Sequence, residues 1–209
     1  MSRRGITHSE IIEKAIELME EVGYQQFSLR ELAAKLEIKP SSLYNHIEGI
    51  EEINICIAIE AAARLNRILQ ATIDEAVKSG EALNESDGRD EAFMAAAFAY
   101  RRFAEENSQL YEALINMPKS NDDKIISAAF NSFEPLRELI KSYDLSDKEN
   151  INFIRGLRSV MHGFVELCNS GFMHRSKVSQ DESYEAIIRQ YLAILKKKEA
   201  QNEKISRGY

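Results

Sequence analysis

The sequence has no tryptophan, only three prolines and only nine glycines among its 209 residues. Residues that interrupt helices are therefore scarce, and no run of alternating Val and Thr residues indicates a strand. Ala, Glu, Leu and Ile are abundant, and 44% of the residues are hydrophobic, which is enough to build a full core. The composition predicts an all-α fold.

Long hydrophobic runs are also missing. No segment approaches the roughly 18 uncharged apolar residues that a membrane-spanning helix needs, and the first ten residues, MSRRGITHSE, lack the apolar segment of a secretory signal. We therefore expect a cytoplasmic protein. The two cysteines, Cys56 and Cys168, lie in apolar helical patterns without the spacing of metal ligands, so we expect buried free thiols.

Sequence motifs for catalysis are missing as well. There is no Gly-x-Ser-x-Gly elbow, no glycine-rich phosphate loop and no His-Glu-x-x-His, and the four histidines have no metal-binding spacing. We predict no catalytic residue, no metal and no cofactor, and therefore not an enzyme. The net charge of −7 has the wrong sign for a nucleic-acid-binding protein. Affinity for phosphates nevertheless depends on the local face that meets them.

Three short helical patterns occupy the first fifty residues. Two of them begin with capping boxes, Thr7-x-x-Glu10 and Ser28-x-x-Glu31, and the third begins at Pro40. Each pattern has one apolar face, which predicts a three-helix unit with a small common core. We expect the third helix to have about eight residues, with Leu43 and Ile47 facing inward.

The rest of the chain also has helical patterns. The segment GEALNESDGRD is the clearest linker, Pro135 predicts a kink or a break, and we expect the charged tail KKKEAQNEKISRGY to fray. We predict a head at residues 1–50 and a helical regulatory and dimerisation domain at residues 51–209. The predicted helices of this second part are 50–78, 91–106, 108–116, 122–143, 147–170 and 181–198.

A short helix, a turn of about three residues and another short helix form the helix-turn-helix arrangement, whose second helix enters the DNA major groove. Ser, Asn and His can hydrogen-bond to base edges or phosphates, and Lys, Arg and Tyr can bind the DNA backbone. No acidic residue lies between Lys39 and His46. Tyr44 has an alternative role as a core ring. The candidate DNA-binding residues are Ser28, Arg30, Lys39, Ser41, Ser42, Tyr44, Asn45 and His46.

The segment IIEKAIELMEEVGYQQFSLRELAAKLEIKPSSLYNHI resembles the N-terminal pattern of the TetR family of bacterial transcriptional regulators. The matching positions are Ala15, Gly23, Leu32, Ala33, Leu43 and Tyr44. Farther along, FAEENSQLYEALI and RSVMHGFVELCNSGF resemble the WHG-type TetR domain, with Met161-His162-Gly163 in place of Trp-His-Gly. The resemblance implies a homodimer with N-terminal DNA-binding heads and a C-terminal domain that pairs the subunits and often holds a small inducer.

The chain departs from the family pattern at three positions of the head. Glu37 replaces a glycine in the turn, where a positive φ would cost a non-glycine residue about 1 kcal/mol unless the turn differs. Lys39 replaces a serine that would cap the third helix. Ile50 replaces a lysine at the start of the fourth helix, which removes a phosphate contact and places more weight on Arg3, Arg4 and the helix terminus at Gly49.

The C-terminal part offers candidates for an inducer pocket. We expect a mainly apolar pocket in which His162 is one of few polar groups, although His162 can equally be a buried histidine bonded to a carbonyl or to Glu166. The aromatic and Met candidates can equally be core residues. The candidate ligand-binding residues are Phe98, Phe103, Tyr111, Phe133, Met161, His162 and Phe164.

The predicted function is that of a DNA-binding transcriptional regulator, a ligand-responsive repressor that binds a palindromic operator as a dimer. The predicted dimer interface is a four-helix bundle of the helices at 147–170 and 181–198, in which Gly156 and Gly163 permit close approach. The apolar stripe of the last helix consists of Tyr184, Ile188, Tyr191 and Leu195. The alternative is a helical DNA- or protein-interaction factor without an inducer or a promoter-regulating role.

Overall fold

The computed structural model of the chain describes residues 6–80, 85–117, 122–174 and 177–206. The regular structure in these ranges is entirely α-helical, as the composition predicts. The helices are α1 (His8–Val22), α2 (Leu29–Lys35), α3 (Pro40–Leu43), α4 (Ile50–Gly80), α5 (Glu85–Glu106), α6 (Ser108–Ile115), α7 (Asp123–Asn131), α8 (Glu134–Lys141), α9 (Asp147–Asn169) and α10 (Gln180–Ser206). None of the helices in the described ranges is both long enough and apolar enough to cross a membrane.

Several helix ends differ from the predicted ones. The chain breaks near Pro135 into two helices, α7 and α8, because proline is favoured in the first turn of a helix and disfavoured in its interior. Helix α5 begins at Glu85, inside the predicted linker, of which residues 81–84 lie outside the described part of the chain. Pro118, predicted to end α6, also lies outside that part.

The tail that was expected to fray is helical as far as Ser206. Its Lys, Glu, Ala and Gln residues are good helix formers. Three side chains also fasten it to earlier elements. The Lys198 ammonium donates to Glu149 Oε1 at 2.7 Å, the Asn202 amide donates to the Asp144 carbonyl at 2.8 Å, and Arg89 pairs with Glu199 at 2.9 Å. These tertiary contacts overcome the fraying expected from charge alone.

The chain divides into two compact units. The first comprises Met1–Arg64 and Glu106–Ser132, and the second comprises Leu65–Glu105 and Phe133–Tyr209. Helix α4 contributes its first half to one unit and its second half to the other. These compact units do not follow the predicted division at residue 50, which stays a prediction about the functional organisation of the chain.

The first unit has its core between α1, α2, α3 and the first half of α4. Helix α1 begins at the capping box of Thr7 and Glu10. It ends at Gly23, whose N–H donates to the Met19 carbonyl. Helix α4 buries apolar residues at every fourth position, which gives one continuous stripe along the helix. The fully buried side chains of the first unit include Ile11, Ala15, Leu32, Leu43, Ile53, Ile57 and Ala61.

The second unit is organised around Tyr184 of α10. Its ring is fully buried, and its hydroxyl donates to the Ala97 carbonyl of α5 at 2.8 Å. The rings of Phe98 and Phe164 pack on it with centroid distances of 5.4 and 5.0 Å. Burial raises the pKa of the Tyr184 hydroxyl far above its ordinary value, so the group remains a neutral hydrogen-bond donor.

A buried arginine joins α5 to the start of α10. Arg101 is only 7% exposed, and its guanidinium lies over the rings of Phe164 and Tyr184 at 5.5 and 5.3 Å. The same group pairs with Glu105 at 2.7 Å and with Asp181 at 2.9 Å. The carboxylates of Glu105 and Asp181 therefore compensate the positive charge of Arg101. The planar guanidinium group lies over the faces of the two aromatic rings.

Three of the four residues in the apolar stripe of α10 are buried within their own chain, so the prediction that these three form a dimer interface is wrong; Tyr191 is half-buried. Tyr184, Ile188 and Leu195 are each 0% exposed in the single chain. Tyr191 packs on Phe153 of α9 with a centroid distance of 5.6 Å. The helical period of the stripe correctly indicated a buried face, but the covering residues belong to the same chain.

Candidate nucleic-acid interface

Helix α2 begins at a capping box that uses Ser28. The Ser28 hydroxyl accepts a hydrogen bond from the Glu31 N–H at 3.3 Å and donates to Glu31 Oε2 at 2.7 Å. The Ser28 N–H donates to the same carboxylate at 2.8 Å, and these bonds hold the pKa of Glu31 below its ordinary value. Ser28 is exposed, but its hydroxyl already holds the start of α2 in place.

The turn after α2 is a Schellman motif with Glu37 in the left-handed position. The Ile38 N–H donates to the Ala33 carbonyl and the Glu37 N–H to the Ala34 carbonyl, both at 3.0 Å. Glu37 has a φ of 56°, a conformation that favours glycine. The chain therefore forms the turn that normally contains glycine, and Glu37 adopts a strained backbone conformation in it. The alternative, a turn of another type, is not observed.

Helix α3 is shorter than predicted. Only Pro40–Leu43 is α-helical, and the next turn tightens through hydrogen bonds from the Asn45 N–H to Ser42 and from the His46 N–H to Leu43. Lys39 supplies no side-chain hydrogen bond at the start of the helix. Because the helix lacks this cap, its order comes from packing: Leu43 is 0% exposed and Ile47 is 4% exposed.

Six of the eight predicted DNA-binding residues lie in α3 or directly beside it in the chain, and Ser28 and Arg30 lie at the start of α2. Tyr44 is 59% exposed, which excludes its alternative role as a core ring in the free chain. Ser42 is half-buried, and the remaining candidates are exposed: Ser28, Arg30, Lys39, Ser41, Asn45 and His46. Leu43 and Ile47 thus anchor a segment whose intervening side chains all point outward.

The cations of the first unit fall into two groups. Lys35 donates to Glu21 at 2.7 Å, a hydrogen bond that raises the pKa of its ammonium, and Arg64 pairs with Glu13 and Glu60. Within the described ranges, no carboxylate pairs with Arg30 or Lys39. Arg30 and Lys39 therefore remain available for phosphate, while Lys35 and Arg64 are neutralised within the fold.

Acidic residues follow this segment immediately. Between Ile47 and Ala63 there is no Lys or Arg, and Glu48, Glu51 and Glu52 surround the start of α4. The Glu52 carboxylate accepts a hydrogen bond from the Glu48 N–H at 2.5 Å and lies 3.8 Å from His8 Nε2. Where the resemblance implies a lysine, this chain has the half-buried Ile50 between acids.

The predicted ligand-binding residues are divided between the two compact units. Tyr111 belongs to the first unit and the other six to the second. Phe98 and Phe164 pack on Tyr184, Phe133 packs on Tyr100 with Arg158 over its ring, and His162 is half-buried. Phe103 and Met161 are buried in the core. A ligand role for these residues stays a prediction.

An open cavity of about 780 Å³ lies elsewhere, in the first unit. It was not predicted, because its walls come from separate segments of the chain, the start of α4 and the start of α7. Cys56 lines it and is half-buried, so the prediction of a buried thiol is wrong for Cys56 and right for Cys168. Burial, followed by the nearby Glu52 carboxylate, raises the pKa of the Cys56 thiol.

The geometry of the first unit is that of a helix-turn-helix DNA-binding protein. Residues 11–53 match the family model described as bacterial regulatory proteins, tetR family. Residues 93–191 match the model described as tetracyclin repressor-like, C-terminal domain. The HTH-type transcriptional regulator YobS of Bacillus subtilis is 31% identical over 194 residues, which cover 92% of this chain and 94% of YobS.

Solved structures show the same fold. A protein from Rhodococcus sp. RHA1 has a TM-score of 0.73 at 18% identity, covering 90% of this chain and 95% of that one. A TetR variant from Acinetobacter baumannii, solved in complex with minocycline, has a TM-score of 0.64 at 14% identity, covering 92% and 97%. This chain belongs to the TetR family of DNA-binding transcriptional regulators, a family of regulators rather than enzymes.

Proposed function

We propose that this chain is a ligand-responsive repressor that binds a palindromic operator as a homodimer. The observation that carries the proposal is the segment from Lys39 to His46. Leu43 within the segment and Ile47 directly after it are buried, its polar side chains other than the half-buried Ser42 are exposed, and it contains no acid. A dimer would place two such segments in successive major grooves, roughly 34 Å apart or a multiple of that spacing, which fits a palindromic site.

The first test removes the two most prominent outward side chains. Tyr44→Ala combined with Asn45→Ala should weaken operator binding by about a hundredfold, because each lost base or backbone contact is worth roughly 1–3 kcal/mol. Both side chains are exposed, so the helical content and the melting temperature should stay unchanged. Unchanged gel shifts on the native operator would show that DNA is bound through another surface.

A second test distinguishes a lysine that contacts DNA phosphate from a lysine that is paired within the protein. Lys39→Gln removes an unpaired ammonium beside α3, whereas Lys35→Gln removes an ammonium already bonded to Glu21. A plot of log affinity against log salt concentration has a negative slope. Lys39→Gln should reduce the magnitude of that slope by about 1, and Lys35→Gln should leave it unchanged. Equal slopes for both variants would place Lys39 away from the DNA.

We place the dimer interface on the outward faces of α9 and α10. Gly163 of α9 has open space at the position of an added Cβ, whereas Gly156 faces its own chain's Tyr191 hydroxyl at 3.3 Å. On α10, Ile187 is half-buried and Ile194 is 48% exposed, each one position away from the buried stripe. Leu167 of α9 is 44% exposed on the same side as Gly163. An apolar face with a glycine in it suits close packing of a second subunit.

The interface can be tested without disturbing the core. Ile187→Glu combined with Ile194→Glu should convert the dimer into folded monomers, because like charges would meet across the interface. Sedimentation gives the mass, and circular dichroism confirms that the helices persist. Gly163→Arg should have the same effect, since among the described residues outside its own helix no atom lies within 4 Å of an added Cβ, and the long side chain would project from this open face. A dimer that survives both changes would place the interface elsewhere.

The inducer part of the proposal rests on the fold and on the predicted residues of the second unit. The related TetR from Acinetobacter baumannii was solved with minocycline bound. For this chain we propose a small, mainly apolar inducer near His162, Phe164 and Phe98. Native mass spectrometry of the purified dimer should reveal a retained small molecule, and His162→Leu should lower its occupancy while leaving operator affinity unchanged. Retention unaffected by His162→Leu would place the inducer at another site.

A further inference from the structure

The cavity of the first unit is a groove between two helix starts. One wall is the first three turns of α4, and the other is the beginning of α7. Its volume of about 780 Å³ lies within the roughly 300–1,000 Å³ typical of small-molecule sites. Its apolar lining consists of Ile50, Ile55, Ile59 and Ile125. None of the residues predicted to bind DNA or an inducer lines it.

The polar lining of the groove is strongly acidic. Four carboxylates, those of Glu48, Glu51, Glu52 and Asp122, face a single ammonium, that of Lys124. Two of the carboxylates are already engaged: Glu52 accepts from the Glu48 N–H, and Asp122 accepts from the Lys124 N–H at 2.8 Å. In the described ranges, no side chain forms a hydrogen bond or an ion pair with the carboxylate of Glu48 or Glu51.

This combination of charge and apolar surface limits the chemistry of a ligand. Across the described ranges, no three acidic, His or Cys side chains are arranged to hold a metal ion, so the acids of the groove do not form a metal site. An anion would meet four carboxylates, and a neutral apolar molecule would displace water from the exposed Glu48 and Glu51 carboxylates without supplying a positive charge. The complementary ligand has one diffuse positive charge and an apolar body that covers the isoleucines.

We propose that this groove binds a small organic cation with an apolar body. The cationic end lies between Glu48 and Glu51 at the first turn of α4, and the apolar part covers Ile55, Ile59 and Ile125. The site differs from the inducer pocket proposed near His162, and the two occupy different compact units. Binding of a cation in the groove does not require operator binding. A failed test of the groove would therefore leave the proposed function unaffected, and the reverse also holds.

Cys56 provides a direct reporter, because its half-buried thiol lines the groove. In a Cys168→Ser background it is the single thiol of the chain. The probe is octyltrimethylammonium below its micelle concentration, and the readout is the rate of Cys56 alkylation by iodoacetamide. We expect the probe to slow alkylation at least about fivefold in a saturable manner. Octyl sulfate and octanol, which share the alkyl chain, should give less than about a twofold change.

Charge variants test the assignment of the cationic end. Glu48→Gln combined with Glu51→Gln should raise the half-protecting concentration of octyltrimethylammonium at least about fivefold. Glu106→Gln combined with Glu112→Gln is the matched control, because it removes the same charge from exposed positions elsewhere in the first unit, and it should leave that concentration unchanged. Equal shifts in the two variants would mean general charge attraction and would overturn the proposal.

Calorimetric titration of the same variants gives a second, independent readout. Saturable binding of octyltrimethylammonium to the parent, lost on Ile59→Trp because the larger ring fills the groove, supports the site. No binding to the parent in the titration and no protection of Cys56 would overturn it. Equal protection by octyl sulfate or octanol would also overturn it, because the groove would then recognise only apolar bulk.

Discussion

Helices α2 and α3 of the head and helix α10 of the second unit bury apolar side chains over very different lengths of helix. Helices α2 and α3 have seven and four residues, and each contributes one or two buried side chains to a small core. Helix α10 has 27 residues and a buried stripe that includes Tyr184, Ile188 and Leu195. In the head, capping boxes hold the starts of α1 and α2, and the packing of Leu43 and Ile47 holds α3. Helix α10 also begins at a capping box, that of Ser179 and Glu182, and its buried stripe adds packing along the helix.

The largest expected effect comes from placing a charge in the α10 stripe. Ile188→Glu should destabilise the chain by more than about 4 kcal/mol, because it buries a carboxylate without a partner. Urea unfolding followed by circular dichroism measures the loss. Ala193→Glu, at an exposed position of α10 outside both the buried stripe and the proposed interface, is the matched control and should leave the unfolding midpoint nearly unchanged. Similar losses for both would mean that the outward face is also part of the subunit core.

A smaller effect is expected in the head. Leu43→Ala should cost about 3 kcal/mol, within the usual range for a fully buried leucine, because Leu43 anchors the four-residue α3. Hydrogen exchange should show the loss first at α2 and α3, while the amides of α9 and α10 keep their protection. The neighbouring Tyr44→Ala is the control, and its effect on stability should stay within about 0.5 kcal/mol. Uniform loss of protection through the chain would mean that the head does not unfold separately.

The capping boxes at Thr7, Ser28 and Ser146, the buried positions of the head and the outward face of α3 could all be predicted from the sequence, because each depends on residues fewer than about ten positions apart. The period of α10 likewise identified a buried face. It could not reveal that the covering residues belong to the same chain. The groove joins α4 to α7 across more than sixty residues, and no local pattern records that proximity.

A stabilising change is expected at the turn of the head. Glu37→Gly should raise the free energy of unfolding by about 1 kcal/mol, because glycine adopts the positive φ of 56° without strain. Glu37→Ala is the control for loss of the side chain and should give little gain, since alanine meets the same backbone strain. Thermal unfolding compares the two. A gain for Ala equal to that for Gly would assign the effect to charge rather than to backbone strain.

The smallest effect concerns the start of α9. The Lys198 ammonium, followed by the Ser146 hydroxyl and N–H, lowers the pKa of Glu149 from 4.5 to about 2. Because the folded-state pKa is depressed, the resulting stabilisation is present above the ordinary pKa of about 4.5 and is lost as the pH falls toward 2. Lys198→Gln should raise the Glu149 pKa, although it stays below 4.5 because Ser146 still donates. Carboxyl NMR titration measures the shift, and an unchanged pKa would mean that Ser146 alone sets it.

The burial of the α10 stripe within its own chain has a consequence for how operator occupancy depends on the amount of protein. A subunit that completes its core alone can exist as a folded monomer, so the proposed pairing through Ile187, Ile194 and Gly163 becomes a reversible equilibrium. When the total protein concentration is below the dissociation constant of the dimer, the concentration of dimer rises with the square of the total protein concentration. Halving the number of copies would then reduce the operator-binding species about fourfold, which gives the regulator a steep dose response without any ligand.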